Sequence, residues 1–147
     1  MAIEKFKTVV KSVEGLQVSC KSRGFEFILD EPKNLGGTDT GMNPVEALLG
    51  TLGACKVIVA KSFARLHHIK LNDIRIELEG DLDVDGFMGK NPDAKIGFSR
   101  ISSQIYIDAD NTVEEIEKFV EFINRTCPVA DTIENAPVME TVIIKEP

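Results

Sequence analysis

The run from Asn43 to His68 restricts this chain more than any other segment. Apolar side chains occupy most of the circumference of a helix drawn over it, through Leu48, Leu49, Leu52, Val57, Ile58, Val59, Phe63 and Leu66, with Gly50, Gly53 and Ala54 among them. Such a helix is normally buried, and its small residues let a neighbouring backbone come close. Asn43 and Pro44 suit its N-cap and first helical position, and the helix is expected to end near His68. Lys56, Lys61 and Arg65 interrupt the run, so it falls short of the roughly 18 apolar residues of a membrane span. The chain has 147 residues, which fits one domain, residues 1–147. One domain of that size would struggle to wrap this helix alone.

The rest of the chain reads as short strands and helices. From Lys5 to Asp30 the sequence alternates and is broken at Glu14-Gly15 and Arg23-Gly24, which predicts three strands joined by tight turns. A loop rich in turn formers, Glu31 to Gly41, leads to the long helix. Asp73–Val84 and Phe98–Asp108 alternate again, through Ile74, Ile76, Leu78 and then Ile101, Ile105, Ile107, and predict a hairpin with a long Gly/Asn/Pro-rich tip. Thr112 opens an amphipathic helix with the stripe Val113, Ile116, Phe119, Val120, Ile123 and acids in its first turns, ending near Arg125. A short helix from about Pro128 and a last strand, Val138–Lys145, complete an α+β chain without repeat or linker.

A net charge of −7 leaves no basic footprint for a polyanion, so nucleic acid is excluded as a partner. Met1–Lys11 carries Glu4, Lys5, Lys7 and Lys11 and no apolar core, unlike a secretory leader. Three cysteines are too few, and odd in number, for a secreted disulfide framework. Together these predict a cytoplasmic protein without membrane contact, in which any disulfide is catalytic.

The cysteines differ in setting. Cys127 precedes Pro128 at a helix start, where unpaired backbone N–H groups and the dipole stabilise a thiolate. Cys55 lies about three turns into its helix, too deep for that dipole, and needs a cation from elsewhere. On this ground alone Cys127 is the more acidic thiol. Cys20, alternating in a strand, reads as a core residue.

The segments Leu29-Asp30-Glu31-Pro32-Lys33-Asn34-Leu35-Gly36-Gly37, Gly41-Met42-Asn43-Pro44-Val45-Glu46-Ala47-Leu48-Leu49, Leu52-Gly53-Ala54-Cys55 and Cys127-Pro128-Val129 together resemble the OsmC/Ohr family of osmotically induced and organic-hydroperoxide-resistance proteins. The match in order and spacing runs along nearly the whole chain. The resemblance implies an intertwined homodimer in which antiparallel sheets of both subunits wrap long central helices, which answers the burial problem of the Asn43–His68 helix. It implies a thiol peroxidase reducing organic hydroperoxides or hydrogen peroxide without a cofactor or metal. Cys55 attacks the peroxide and becomes a sulfenic acid, Cys127 condenses with it to a disulfide, and a dithiol reductant, dihydrolipoyl in better-known members, restores both. That order reverses the dipole argument, and a cation from the partner subunit would supply what the dipole does not.

The hydroperoxide-resistance branch has a glutamate directly after Asn-Pro, coupled to an arginine in the first β-turn. Here Val45 takes that place, Glu46 follows it, and the turn Val13-Glu14-Gly15 has no arginine. Glu46 lies about 180° around the helix from Cys55 and cannot serve that thiol within one chain. Arg23 is the nearest candidate cation, with Arg125 next, and the pattern is closer to the OsmC-like branch. A dimer that holds a small hydrophobic or electrophilic ligand without efficient peroxidase turnover is the alternative, and a structural dimer whose cysteines only pack is a third.

Three other signals carry less. Asp81-Leu82-Asp83-Val84-Asp85-Gly86 opens like an EF-hand loop, but Pro92 stands at the twelfth position and the acids read as a solvated strand end. His67 and His68 point to different sides of a helix and make no zinc pair. Gly36-Gly37 lacks the strand-to-helix setting of a phosphate loop.

Overall fold

The computed structural model describes residues 1–147 and divides into two compact units, Met1–Gly50 and Thr51–Pro147. Two antiparallel sheets and four α-helices make the α+β class expected.

The first unit is a meander of β1 (Val9–Ser12), β2 (Val18–Ser22) and β3 (Phe25–Leu29), each antiparallel to the next. Arg23 and Gly24 turn β2 into β3 with φ of 50° and 86°, the left-handed pair that a two-residue hairpin turn requires. Val10, Cys20 and Phe27 stand opposite one another and share a face, which places buried Cys20 in packing as read from the sequence. Val10 and Phe27 on the same face remain exposed.

Asp30 closes this unit. It is 2% exposed, and its Oδ2 accepts from Thr38 N (3.2 Å), Thr38 Oγ1 (2.7 Å), Thr40 N (3.2 Å) and Thr40 Oγ1 (2.8 Å), while Oδ1 accepts from Glu31 N (2.8 Å). Led by the Thr38 hydroxyl, these donors outweigh burial and hold its carboxyl well below the usual carboxylate range. The loop before the long helix is therefore tied down, with a single 3₁₀ turn at Lys33–Leu35.

The long helix, α1 (Pro44–Phe63), begins with a capping box. Asn43 Oδ1 accepts from Glu46 N (2.9 Å) and Glu46 Oε2 from Asn43 N (2.8 Å). Regular helix ends at Phe63, short of the expected His68, and turns carry the chain on to a closure at that residue. His68, at φ 57°, donates its N–H to Arg65 O (3.1 Å) and Ile69 donates to Ala64 O (2.8 Å), a Schellman closure that buries Ile69.

In the second unit β4 (Leu71–Leu82) and β5 (Phe98–Ala109) form one long hairpin. Its tip differs from the irregular connection expected. Asp83 caps a short helix, α2 (Val84–Phe87), by accepting from Asp85 N and Gly86 N, so that carboxylate serves the backbone. A capping box between Thr112 and Glu115 starts α3 (Val113–Thr126), and α4 (Pro128–Glu134) follows directly. The core joins Leu52, Val59, Ala60 and Ala64 of the α1 path to Phe119 and Ile123 of α3, both 0% exposed, and to Ile74, Leu78, Ile101 and Ile107 of the hairpin. A Cβ on Gly53 would stand 2.6 Å from Leu78 Cδ1, so glycine there lets α1 lie close on β4.

The last expected strand is not formed. Residues 136–147 carry no regular structure, and Val138, Val142, Ile143 and Ile144 are exposed. An alternating segment becomes a strand only against an open sheet edge, and within this chain it pairs with none.

Candidate functional site

Two sulfurs far apart in sequence meet in the second unit. Cys55 is the twelfth residue of α1 and is half-buried. Cys127 is both the last cap of α3 and the first cap of α4. The reason is Pro128: its ring drives the preceding residue out of helical geometry, and Cys127 takes φ −68° and ψ 112°. Pro128 then restarts a helix at a position where no N–H is needed.

Cys127 is 0% exposed, and its Sγ accepts the Ala130 N–H at 3.4 Å, which makes the sulfur the side-chain cap of α4. The sulfur thus takes the helix-start position that Cys127-Pro128 predicts. Burial pushes the Cys55 thiol up; a hydrogen bond with the Cys127 side chain and the repulsion of that neighbouring group push it the same way, and the Val129 N–H opposes them. Cys55 packs against the core cluster that contains Cys127, and each thiol bears on the other's ionisation. Each cysteine is a free thiol here. A pair of interacting thiols, one capped and one half-exposed, is suited to sulfenic acid formation followed by condensation.

A cavity of about 180 Å³ lies between α1, β5 and α4, and neither thiol lines it. Leu52, Ile101, Ala130 and Ile133 make it apolar, while Lys56 and Glu134 add one charge of each sign. Ala130, whose amide holds Cys127, is part of its wall. A larger hollow of about 800 Å³ in the first unit is bordered by Phe6, Lys7, Arg23 and Glu26.

The other expected site residues have local work. Arg23 sits in the β2–β3 turn with its guanidinium carbon 5.3 Å from the Phe25 ring centre. Glu46 is engaged in the α1 capping box. Arg125, in the last turn of α3 two residues before Cys127, lines a cavity with His67, and neither Cys55 nor Cys127 lines that cavity. Sequence reasoning missed the amides of Val129 and Ala130, which Cys-Pro at a helix start could have signalled. It also missed Asp30, whose partners eight and ten residues on follow no helix or strand period.

A profile of the family described as OsmC-like protein matches residues 37–142. The chain belongs to the OsmC family. Among similar OsmC relatives, the hydroperoxide reductase of Mycoplasma genitalium is 30% identical over 118 residues, covering 79% of this chain and 77% of that protein. The hydroperoxide reductase of Mycoplasma pneumoniae is 29% identical over 123 residues, covering 82% and 81%. An OsmC-like protein from Mycoplasma pneumoniae of solved structure superposes with a TM-score of 0.80 at 25% identity, over 90% of this chain and 89% of that one. The OsmC fold is therefore shared, and the relatives support a peroxide-related role. No helix is long and apolar enough to cross a membrane.

Proposed function

We propose that this chain is a cysteine-based hydroperoxide reductase of the OsmC family. The observation that carries the reading is the packing of half-buried Cys55 against the core cluster that holds Cys127 at the start of α4. The Cys55 thiolate attacks the distal oxygen of ROOH, the O–O bond breaks, and the alkoxide leaves as ROH with a proton taken up. Cys55 is then a sulfenic acid. The Cys127 sulfur displaces its hydroxyl, water leaves, and a Cys55–Cys127 disulfide forms. A dithiol reductant, dihydrolipoyl in kind, reduces it to two thiols and is itself oxidised to a disulfide.

Cys55 is the nucleophile in this scheme because it is the less buried sulfur, and its helix neighbours Leu52 and Lys56 line the 180 Å³ cavity. Its raised pKa is why a cation is needed. Arg23, with Glu46 to fix it, is proposed to supply that cation from a second subunit. The intertwined homodimer has independent support in bare apolar surface. Ile58 of α1, Phe27 of β3 and the segment from Val138 to Ile144 are exposed in the single chain, and a second copy would cover them. The whole of residues 1–147 acts as one OsmC-like domain in this proposal, in the cytoplasm.

Stopped-flow consumption of cumene hydroperoxide and hydrogen peroxide by the reduced protein, with mass spectrometry of the product, tests the reading. Rapid turnover with a Cys55–Cys127 disulfide is expected, and Cys55→Ser should abolish it. Undiminished peroxide consumption by Cys55→Ser would refute the mechanism. Slow reaction with both thiols left free would favour a ligand-binding dimer instead.

A further inference from the structure

Every residue lining the 180 Å³ cavity belongs to the second unit, and each of its three elements brings one apolar and one polar side chain. Residues four apart share a helix face and residues two apart share a strand face, so α1 presents Leu52 with Lys56 and β5 presents Ile101 with Ser103. The last turn of α4 adds Ile133 with Glu134. The apolar groups are aliphatic, and no aromatic ring lines the space. Its volume is below the roughly 300–1,000 Å³ of pockets for drug-sized ligands and equals about six water volumes of ~30 Å³ each.

The polar groups around this cavity are uncommitted. The ion pairs of the chain are Lys21–Glu26, Arg75–Glu77 and Glu114–Lys118, so neither Lys56 nor Glu134 has a counter-charge, and the two do not pair with each other. Lys56 and Ser103 are half-buried, and the Ser103 hydroxyl has no hydrogen-bond partner within the chain. A half-buried ammonium is partly stripped of water, and it gains more from a bound anion than an exposed one does. Glu134 is exposed and offers a carboxylate of opposite sign.

We propose that this cavity binds a free aliphatic α-amino acid of valine or leucine size as its zwitterion. The carboxylate meets the Lys56 ammonium and the Ser103 hydroxyl, the ammonium group meets the Glu134 carboxylate, and the side chain lies among Leu52, Ile101 and Ile133. Both charges are needed. A simple carboxylate would leave Glu134 unmatched and add a second negative charge beside it, and a simple amine would do the same to Lys56. An α-amino acid carries the two charges and the alkyl group on one carbon, which suits three elements that each offer a polar and an apolar group around so small a space. Neither thiol lines the cavity, so the proposal goes beyond peroxide reduction and does not rest on it.

A methyl-detected NMR titration of the full-length protein with L-leucine tests this. Saturable shifts centred on Leu52, Ile101 and Ile133, with a Kd of about 1 mM, are expected. Lys56→Met keeps the apolar stem and removes the half-buried charge, and should weaken binding about tenfold or more. Glu134→Gln changes an exposed group, leaves the core intact and should weaken binding about threefold. Isocaproate, isopentylamine and glycine each lack one of the three recognised groups, and each should bind at least about threefold more weakly than leucine. No saturation by about 50 mM leucine, parent-like affinity in either charge variant, or isocaproate binding as tightly as leucine would each overturn the assignment.

Discussion

Cys127→Ala and Cys127→Ser both remove the second thiol, and they differ in what they leave at the start of α4. The parent sulfur accepts the Ala130 N–H at 3.4 Å and is 0% exposed. Alanine leaves that amide without its side-chain acceptor, worth about 0.5–2 kcal/mol for a helix N-cap. It also deletes a fully buried atom of roughly methylene size, worth about 1 kcal/mol in transfer and cavity cost. The sum is about 1.5–3 kcal/mol, and for a chain of this size about 2–4 °C of Tm accompanies each kcal/mol, so the midpoint falls by roughly 3–12 °C. Serine restores a strong N-cap acceptor at the price of burying a hydroxyl, and should lose no more than about half as much. Urea unfolding followed by far-UV circular dichroism, with excess reductant and one protein concentration throughout, measures both. An alanine variant as stable as the parent, or a serine variant no better than alanine, would refute the cap. Neither variant should form the disulfide, so stability and redox chemistry separate.

Further expectations follow from the same geometry. A Cys55–Cys127 disulfide closes a loop of roughly 70 residues and should stabilise the chain by about 4 kcal/mol through the unfolded state; an oxidised protein that melts at or below the reduced one would show that the bond distorts the fold. Asp30 has a depressed carboxyl, so its contribution is fully present above the unfolded-state value of about 3.9 and is lost as pH falls below it. Asp30→Asn should lower stability at pH 7 and flatten its fall below about pH 4, and identical pH profiles would count against the clasp. For the proposed activator, the pH midpoint of iodoacetamide labelling at Cys55 should rise by about one unit or more in Arg23→Gln. An unmoved midpoint would remove Arg23 from the site.

Much of the architecture was legible because its signals are local. Asn43-Pro44, Thr112 and Cys127-Pro128 each mark a helix start with residues whose backbone chemistry fits only there, and all three helices begin as read. Glu46 carries a local signal as well: three residues after Asn43, it completes a capping box that the Asn-Pro-Val-Glu order already spells. The Val138–Lys145 strand failed for a different cause. Alternation states that a segment suits a sheet edge, not that its own chain offers one. The approach of Cys55 to Cys127 was not derivable from spacing, since it depends on how α1 and α3 pack through Ala60, Phe119 and Ile123. The family resemblance implied that pairing, and no periodicity could.

The clasp around Asp30 has an engineering consequence. Glu31 and Asp39 are joined by a backbone hydrogen bond of 3.1 Å from Asp39 N to Glu31 O, so the segment between them leaves the fold and returns to it at nearly one point. Lys33, Asn34 and Leu35 are exposed along that excursion, whereas a Cβ on Gly37 would lie 1.9 Å from Glu31 O. A reporter domain with neighbouring termini could be grafted at Asn34 without drawing the two ends apart, because the added length enters closure entropy only logarithmically. The same graft a few residues later, between Gly37 and Thr40, would cut the carboxylate from its donors.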